Sequence, residues 1–151
     1  MAQVKIGHID GTTFLTSLDQ YKSAEKELET YMTQLDNQYK TMVEKYQREY
    51  GDVQTKIQQG LLTPKQISEQ EQYFMAEQKK IQEFEMSSQK KTLGKREELL
   101  TPILTRVEDA IKAVAAQNNF TYILDSSAGL GVLFAADSED VTSLVNKQLG
   151  Y

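Results

Sequence analysis

Few side chains in this 151-residue chain could carry out chemistry, and their spacing narrows what that chemistry is. There is no cysteine, which excludes thiol nucleophiles, disulfide frameworks, cysteine zinc sites and iron–sulfur clusters. The single histidine, His8, stands beside no base or nucleophile and leaves no His–His metal pair and no triad. Asp10 and Asp125 each end an apolar stretch and could lie close together, but turn and cap roles account for both. Gly129-Leu130-Gly131 precedes an apolar stretch and lacks the helix and third glycine of a nucleotide loop. No catalytic residue, no metal ligand and no cofactor is assigned, and the chain reads as a non-enzyme.

What stands out instead is the kind of apolar residue. Tyrosine, methionine and phenylalanine crowd one stretch of the chain, with Tyr46, Tyr50, Tyr73, Phe74, Met75, Phe84 and Met86 as the candidate contact residues. Methionine is adaptable and tyrosine amphipathic, which suits a surface that meets varied apolar partners. A helical seam would claim Tyr46 and Phe74, whereas Tyr50, Tyr73, Met75 and Met86 lie off it and are the better exposed contacts. Net charge is -5 with a pI near 5.0, which argues against nonspecific nucleic-acid binding. A locally basic stretch from Lys79 to Arg96 reads as a solvated helix face.

The elements that position these residues are set by pattern. Val4 to Ile9 suits one strand, ended by Asp10-Gly11, with Thr12 or Thr13 as the cap of the first helix. From Phe14, the ladder Leu18, Tyr21, Leu28, Met32, Leu35, Tyr39, Met42, Tyr46, Val53 and Ile57 keeps a 4-3-4-3 spacing, with polar slots only at Glu25 and Glu49. Gly60 supplies a stop, and Thr63-Pro64-Lys65-Gln66 reads as a capping box with proline at the first helical position. Ile67, Phe74 and Ile81 continue the seam. It weakens through Glu85, Ser88 and Thr92 near Gly94. It resumes with Leu93, Leu100, Val107 and Val114, flanked by Ile103, Leu104 and Ile111. Pro102 should kink this helix or leave a hydrogen bond unmade. Phe120 to Asp125 and Val132 to Ala135 read as two more strands. The chain ends in a terminal helix, capped by Asp137 or Ser138, with Val141, Leu144, Val145 and Leu149 on one face.

The fold class is therefore α+β, mainly α. A long antiparallel coiled-coil hairpin over residues 14–117, its tip near 60–64, projects from a small β body formed by residues 1–13 and 118–151. Those terminal segments are too short to bury an independent core comfortably, and their strand edges invite pairing with other chains. Oligomerisation through the β body answers both, with Val4, Ile6, Ile123, Val132 and Phe134 as candidate interface residues.

The arrangement resembles the Skp/OmpH family of periplasmic chaperones over essentially the whole chain. The local matches are Val4-Lys5-Ile6-Gly7-His8-Ile9-Asp10, Phe120-Thr121-Tyr122-Ile123-Leu124-Asp125-Ser126-Ser127, Val132-Leu133-Phe134-Ala135 and Asp137-Ser138-Glu139-Asp140-Val141-Thr142. The resemblance implies a homotrimer whose strands share a barrel-like body and whose three hairpins surround a cavity. It implies an ATP-independent holdase that keeps unfolded outer-membrane β-barrel proteins soluble in the periplasm, with a secretory signal already removed from this chain. The best-known member is strongly basic, whereas this chain is acidic. No lipopolysaccharide site is carried over, and the acidic charge weighs against peripheral membrane or lipid contact.

Two other classes remain. A prefoldin-like chaperone would place its strands within the coiled-coil connection, whereas here they lie beyond both helices. A structural coiled-coil scaffold without clients shares every periodic feature and differs only in what its exposed aromatics do.

Overall fold

The computed structural model describes residues 4–151; Met1–Gln3, the start of the segment assigned to the β body, lie outside the described residues. The order is strand β1 (Ile6–Ile9), helices α1 (Gly11–Ser17), α2 (Asp19–Gln58) and α3 (Pro64–Asn118), strand β2 (Tyr122–Asp125), a 3-10 turn at Asp137–Glu139, and helix α4 (Thr142–Leu149). This is the mainly helical α+β fold that the sequence predicts. No helix among the described residues is long and apolar enough to cross a membrane.

The chain forms two compact units. One takes in the chain up to Glu27 together with Glu97–Tyr151; the other is Leu28–Arg96.

In the first unit β1 and β2 pair in parallel, Ile6 opposite Tyr122 through Ile9 opposite Asp125. A parallel pair needs a long crossover, which the helices between the strands supply. The pleat turns Gly7 and Ile9 inward and Ile6 outward. Ile9, Phe14, Leu18, Val107, Ala110, Val114, Val141, Val145 and Leu149 form the core, with Phe120 and Ile123 packed against it. Gly7 is required by this packing, because a Cβ there would lie 2.8 Å from Val141 Cγ1 and 3.0 Å from the Phe120 ring.

Several local expectations change here. The cap of α1 is Asp10 rather than a threonine: its carboxylate accepts from the Thr13 amide at 2.8 Å and the Thr13 hydroxyl at 2.9 Å. The first long helix is interrupted at Leu18, whose extended backbone (φ -71, ψ 129) separates α1 from α2. Thr16 and Ser17 donate side-chain bonds back to the preceding carbonyls, which loosens that turn while Leu18 drops into the core.

Val132 to Ala135 is not a strand. Gly129 and Gly131, both at left-handed φ, turn the chain, and Val132–Ala135 finds no paired edge, so Leu133 and Phe134 stand almost wholly exposed. A short run of β-prone apolar residues encodes a tendency, but a strand exists only where an edge accepts its hydrogen bonds. Asp137 and Ser138 fall in the 3-10 turn, and α4 starts later, where the Asp140 carboxylate accepts from the Thr142 amide at 2.8 Å. The predicted apolar face of α4 is present, with Val141, Val145 and Leu149 buried.

In the second unit α2 and α3 run antiparallel around a turn that matches its sequence signals. Leu61 and Gly60 amides bond back to the Lys56 and Ile57 carbonyls at 2.9 and 3.0 Å, with Gly60 at φ +68. The Thr63 amide donates to Gln66 Oε1 at 2.8 Å and the Gln66 amide to Thr63 Oγ1 at 3.3 Å, closing the capping box. Leu35 and Phe74 are buried in the seam; Tyr39, Met42, Tyr46, Val53, Ile57, Ile67 and Ile81 are half-buried. Met32 and Leu93, both expected in the seam, are exposed instead. In the first unit Ala24 is buried in place of the Glu25 slot. A straight helix of 3.6 residues per turn drifts from a 3.5-residue ladder, so the buried stripe moves one position along the sequence. α3 continues unbroken through Pro102, which forgoes the hydrogen bond its missing N–H would donate.

Candidate functional site

The seven candidate contact residues all lie in the second unit, and the structure places them unequally. Phe74 is the buried anchor of an aromatic cluster. The rings of Tyr46 and Tyr50 meet it edge-on at centroid distances of 5.5 and 5.2 Å, and Tyr46 and Tyr50 lie parallel at 5.9 Å. Tyr73 meets Phe74 at 5.3 Å. Such edge contacts satisfy the ring quadrupoles and hold the cluster in one arrangement. The spacing explains the grouping: Tyr46 and Tyr50 are one helical turn apart, and the turn at Gly60 brings them opposite Tyr73 and Phe74.

Tyr50 and Tyr73 remain substantially exposed, and Met75 and Met86 are more exposed still, at 71% and 64%. The Tyr73 hydroxyl donates to Glu49 Oε2 at 2.8 Å, and that hydrogen bond holds the phenol above its usual range, because ionising it would remove the donated proton and set two anions together. Phe84 is half-buried and lies under Lys91, whose ammonium sits 5.7 Å from the ring centroid. The off-ladder residues are thus the exposed ones, while Tyr46 and Phe74 are partly or wholly consumed by the seam.

The candidate interface residues of the first unit also divide. Val4 and Ile6 are exposed, Phe134 is almost wholly so, Val132 is half-buried, and Ile123 packs inward against its own core. The sequence reading missed Tyr122 and Leu124, which flank Ile123 on the opposite face of β2 and are exposed at 59% and 43%. A strand turns alternate side chains to opposite faces, so an inward Ile123 sends both its neighbours outward. Together Val4, Ile6, Tyr122 and Leu124 give this short sheet an uncovered apolar face.

Asp10 and Asp125 do lie close, joined by a residue the sequence did not single out. Ser127 is buried; its hydroxyl lies 2.6 Å from Asp125 Oδ1 and 3.1 Å from Asp10 Oδ1, and accepts from the Thr12 amide at 3.0 Å. Asp125 also accepts from the Gly11 amide at 3.1 Å, and a Cβ on Gly11 would meet that carboxylate at 2.8 Å. The Ser127 hydroxyl holds Asp125 below the usual carboxylate range, and the Thr13 amide does the same for Asp10. Cap and turn donors occupy both carboxylates, so the group ties strand ends to α1 and presents no acid–base pair. His8 is similarly occupied: one ring nitrogen lies 3.1 Å from Ser126 Oγ and the other 3.0 Å from the Ala136 carbonyl. No group of three or more metal-ligating side chains occurs among the described residues.

Two short strands, two long helices and a short terminal helix are the elements that any matching family must share. Residues 5–149 match the family profile described as "Outer membrane protein (OmpH-like)". The chain belongs to the OmpH-like family. Similar curated proteins include the chaperone protein Skp of Pectobacterium atrosepticum, 27% identical, with 96% of this chain and 85% of that protein covered. The chaperone protein Skp of Yersinia enterocolitica is 29% identical, over 82% of this chain and 76% of that protein. A crystal structure from Caulobacter crescentus, described as an OmpH-like outer membrane chaperone, superposes with a TM-score of 0.82 at 17% identity, covering 99% of this chain and 85% of that one. That likeness is one of fold. For an OmpH-like chain, the exposed side chains of the second unit and, in the first, the uncovered sheet face and the exposed Leu133 and Phe134 are apolar surfaces that need a role.

Proposed function

We propose that this chain is an ATP-independent holdase that keeps unfolded outer-membrane β-barrel proteins soluble in the periplasm. Clients are held between the helical hairpins of a homotrimer, and the terminal strands form the oligomerisation body. Membership of the OmpH-like family supports a chaperone rather than an enzyme, and relatives named Skp support the holdase reading.

The observation that carries the proposal is the exposure of Tyr50, Tyr73, Met75 and Met86 on a highly charged helix pair. Exposed large apolar residues are ordinary singly, but four of them within the aromatic and methionine-rich part of one hairpin offer contact points on more than one side of it. Amphipathic tyrosine and flexible methionine accept many client shapes through weak contacts. For the body, the uncovered face at Val4, Ile6, Tyr122 and Leu124 supports association with further copies.

The test is whether the protein, at stoichiometric amounts and without nucleotide, delays aggregation of a urea-denatured outer-membrane β-barrel protein. Native mass measurement is run in parallel. The double substitution Tyr50→Ser with Tyr73→Ser should weaken holdase activity several-fold while the trimer mass persists. Unchanged activity in that variant would place the clients elsewhere. A stable monomer would remove the trimeric cavity.

A further inference from the structure

The heptad seam fails at one place in the second unit, and the failure leaves a cleft. Glu85, Ser88 and Thr92 take three successive seam positions on α3, facing Met32, Leu35 and Tyr39 of α2. Small or polar side chains cannot fill the space that leucine or isoleucine would fill. The result is a groove of about 580 Å³, bordered also by Leu93. Met32, which an intact seam would bury, and Leu93, beside the Thr92 slot, stand 49% and 62% exposed next to it. Ser88 Oγ is buried and bonds to no described group, a further sign that this stretch is not optimised for helix-to-helix packing.

The charged side chains that line the groove are of one sign. Its ionisable lining groups are Asp36, Glu85 and Tyr39, and no lysine or arginine lines it. Asp36 is paired with Lys40 at 2.7 Å, on a side chain that remains largely exposed and so is weakly held. Glu85 has neither an ion pair nor a hydrogen bond among the described residues. An apolar floor beside an unpaired carboxylate is complementary to an apolar side chain next to a cation.

We propose that this groove is a client subsite that takes a large apolar side chain of an extended segment, with an adjacent lysine or arginine of the client meeting Glu85 and Asp36. It rests on the holdase reading and adds a sequence preference to it: among unfolded segments, those with an aromatic or leucine flanked by basic residues bind in the seam gap. The subsite differs from the exposed Tyr50 and Tyr73 contacts, because it needs depth within one hairpin.

The full-length protein is titrated against fluorescein-labelled nonapeptides by fluorescence anisotropy. Each peptide carries one central phenylalanine, flanked by arginine in one and by glutamate in the other. The arginine peptide is expected to bind at least about fivefold more tightly at low salt. Glu85→Gln should shrink that preference by roughly threefold. Ser88→Leu refills the seam slot; it should weaken the arginine peptide by at least about tenfold while raising or preserving the unfolding midpoint. Equal binding of the two peptides, or unchanged affinity in Ser88→Leu, would overturn the subsite. Holdase activity on a denatured β-barrel protein is measured on the same samples. Activity retained without peptide preference sinks the subsite alone; loss of both in the wild-type protein sinks the holdase reading.

Discussion

The two compact units meet the same demand, burial of apolar surface, by opposite means. The first concentrates small aliphatic residues. Val114, Val141 and Val145 are essentially inaccessible, two glycines let side chains pack directly onto the backbone, and strand ends are tied to helix starts by Ser127 and its two aspartates. The second spreads large flexible residues along a seam in which only Leu35 and Phe74 are buried. Close packing makes a unit specific and intolerant of change, whereas a sparse seam of tyrosine and methionine tolerates change and leaves contact surface over. Substitutions chosen by size and place can break or sharpen this contrast.

The largest effect belongs to Phe14→Ala. Phe14 is 3% exposed at the centre of the first core, and deleting its ring leaves a cavity between α1 and the valines of α3 and α4. The expected loss is about 3–5 kcal/mol, read as a fall in the urea midpoint. Loss below about 1 kcal/mol would mean that this core relaxes as freely as the seam. Gly7→Ala should come next, at about 1–3 kcal/mol, because its Cβ must displace Val141 Cγ1 or the Phe120 ring. Chemical denaturation of both variants at matched protein concentration separates cavity from overpacking.

A smaller effect concerns acid. Asp125 and Asp10 are held below their ordinary range, by the Ser127 hydroxyl and the Thr13 amide respectively. A carboxylate whose folded pKa is depressed contributes stability that is present above its unfolded value and lost as pH falls through the folded one. Stability of the first unit should therefore decline as pH drops below about 4, the ordinary carboxylate value. Asp125→Asn should be less stable at neutral pH and should show a shallower acid decline. Thermal midpoints collected between neutral pH and about pH 3 check this; a parallel decline in wild type and variant would show that other carboxylates carry the acid response.

How much of this was legible in the sequence depends on how local each feature is. The stop at Gly60 and the capping box at Thr63 and Gln66 are fixed within a few residues, and they appear as expected. The exposure of Tyr50, Tyr73, Met75 and Met86 came from helical phase alone. The gap at Glu85, Ser88 and Thr92 was visible as a weakening of the ladder, though not as a cleft, because depth depends on what stands opposite. The misses are non-local. Ser127 became a hub only when the parallel pairing brought Asp10 and Asp125 to one end of the sheet. Val132 to Ala135 has strand composition and no edge to join. The ladder's slip from Glu25 to Ala24 reflects helix pitch, which a strict heptad count ignores.

The smallest predicted effect has the opposite sign. Gly94 lies inside α3 in the second unit, and a Cβ built on it meets nothing within 4 Å. Glycine in a helix interior is less favourable than alanine by roughly 0.5–1 kcal/mol, because the unfolded chain loses more freedom on folding. Gly94→Ala should therefore raise the unfolding midpoint by about that amount, where Gly7→Ala lowers it. The same chemical change thus reads the surroundings of two glycines, one pressed against packed side chains and one facing open space. If Gly94→Ala were instead destabilising while helicity by circular dichroism stayed constant, another chain would have to occupy that side of α3 in the assembled protein. Repeating the measurement across a range of protein concentrations would then reveal the contact, because the penalty would grow as assembly becomes complete.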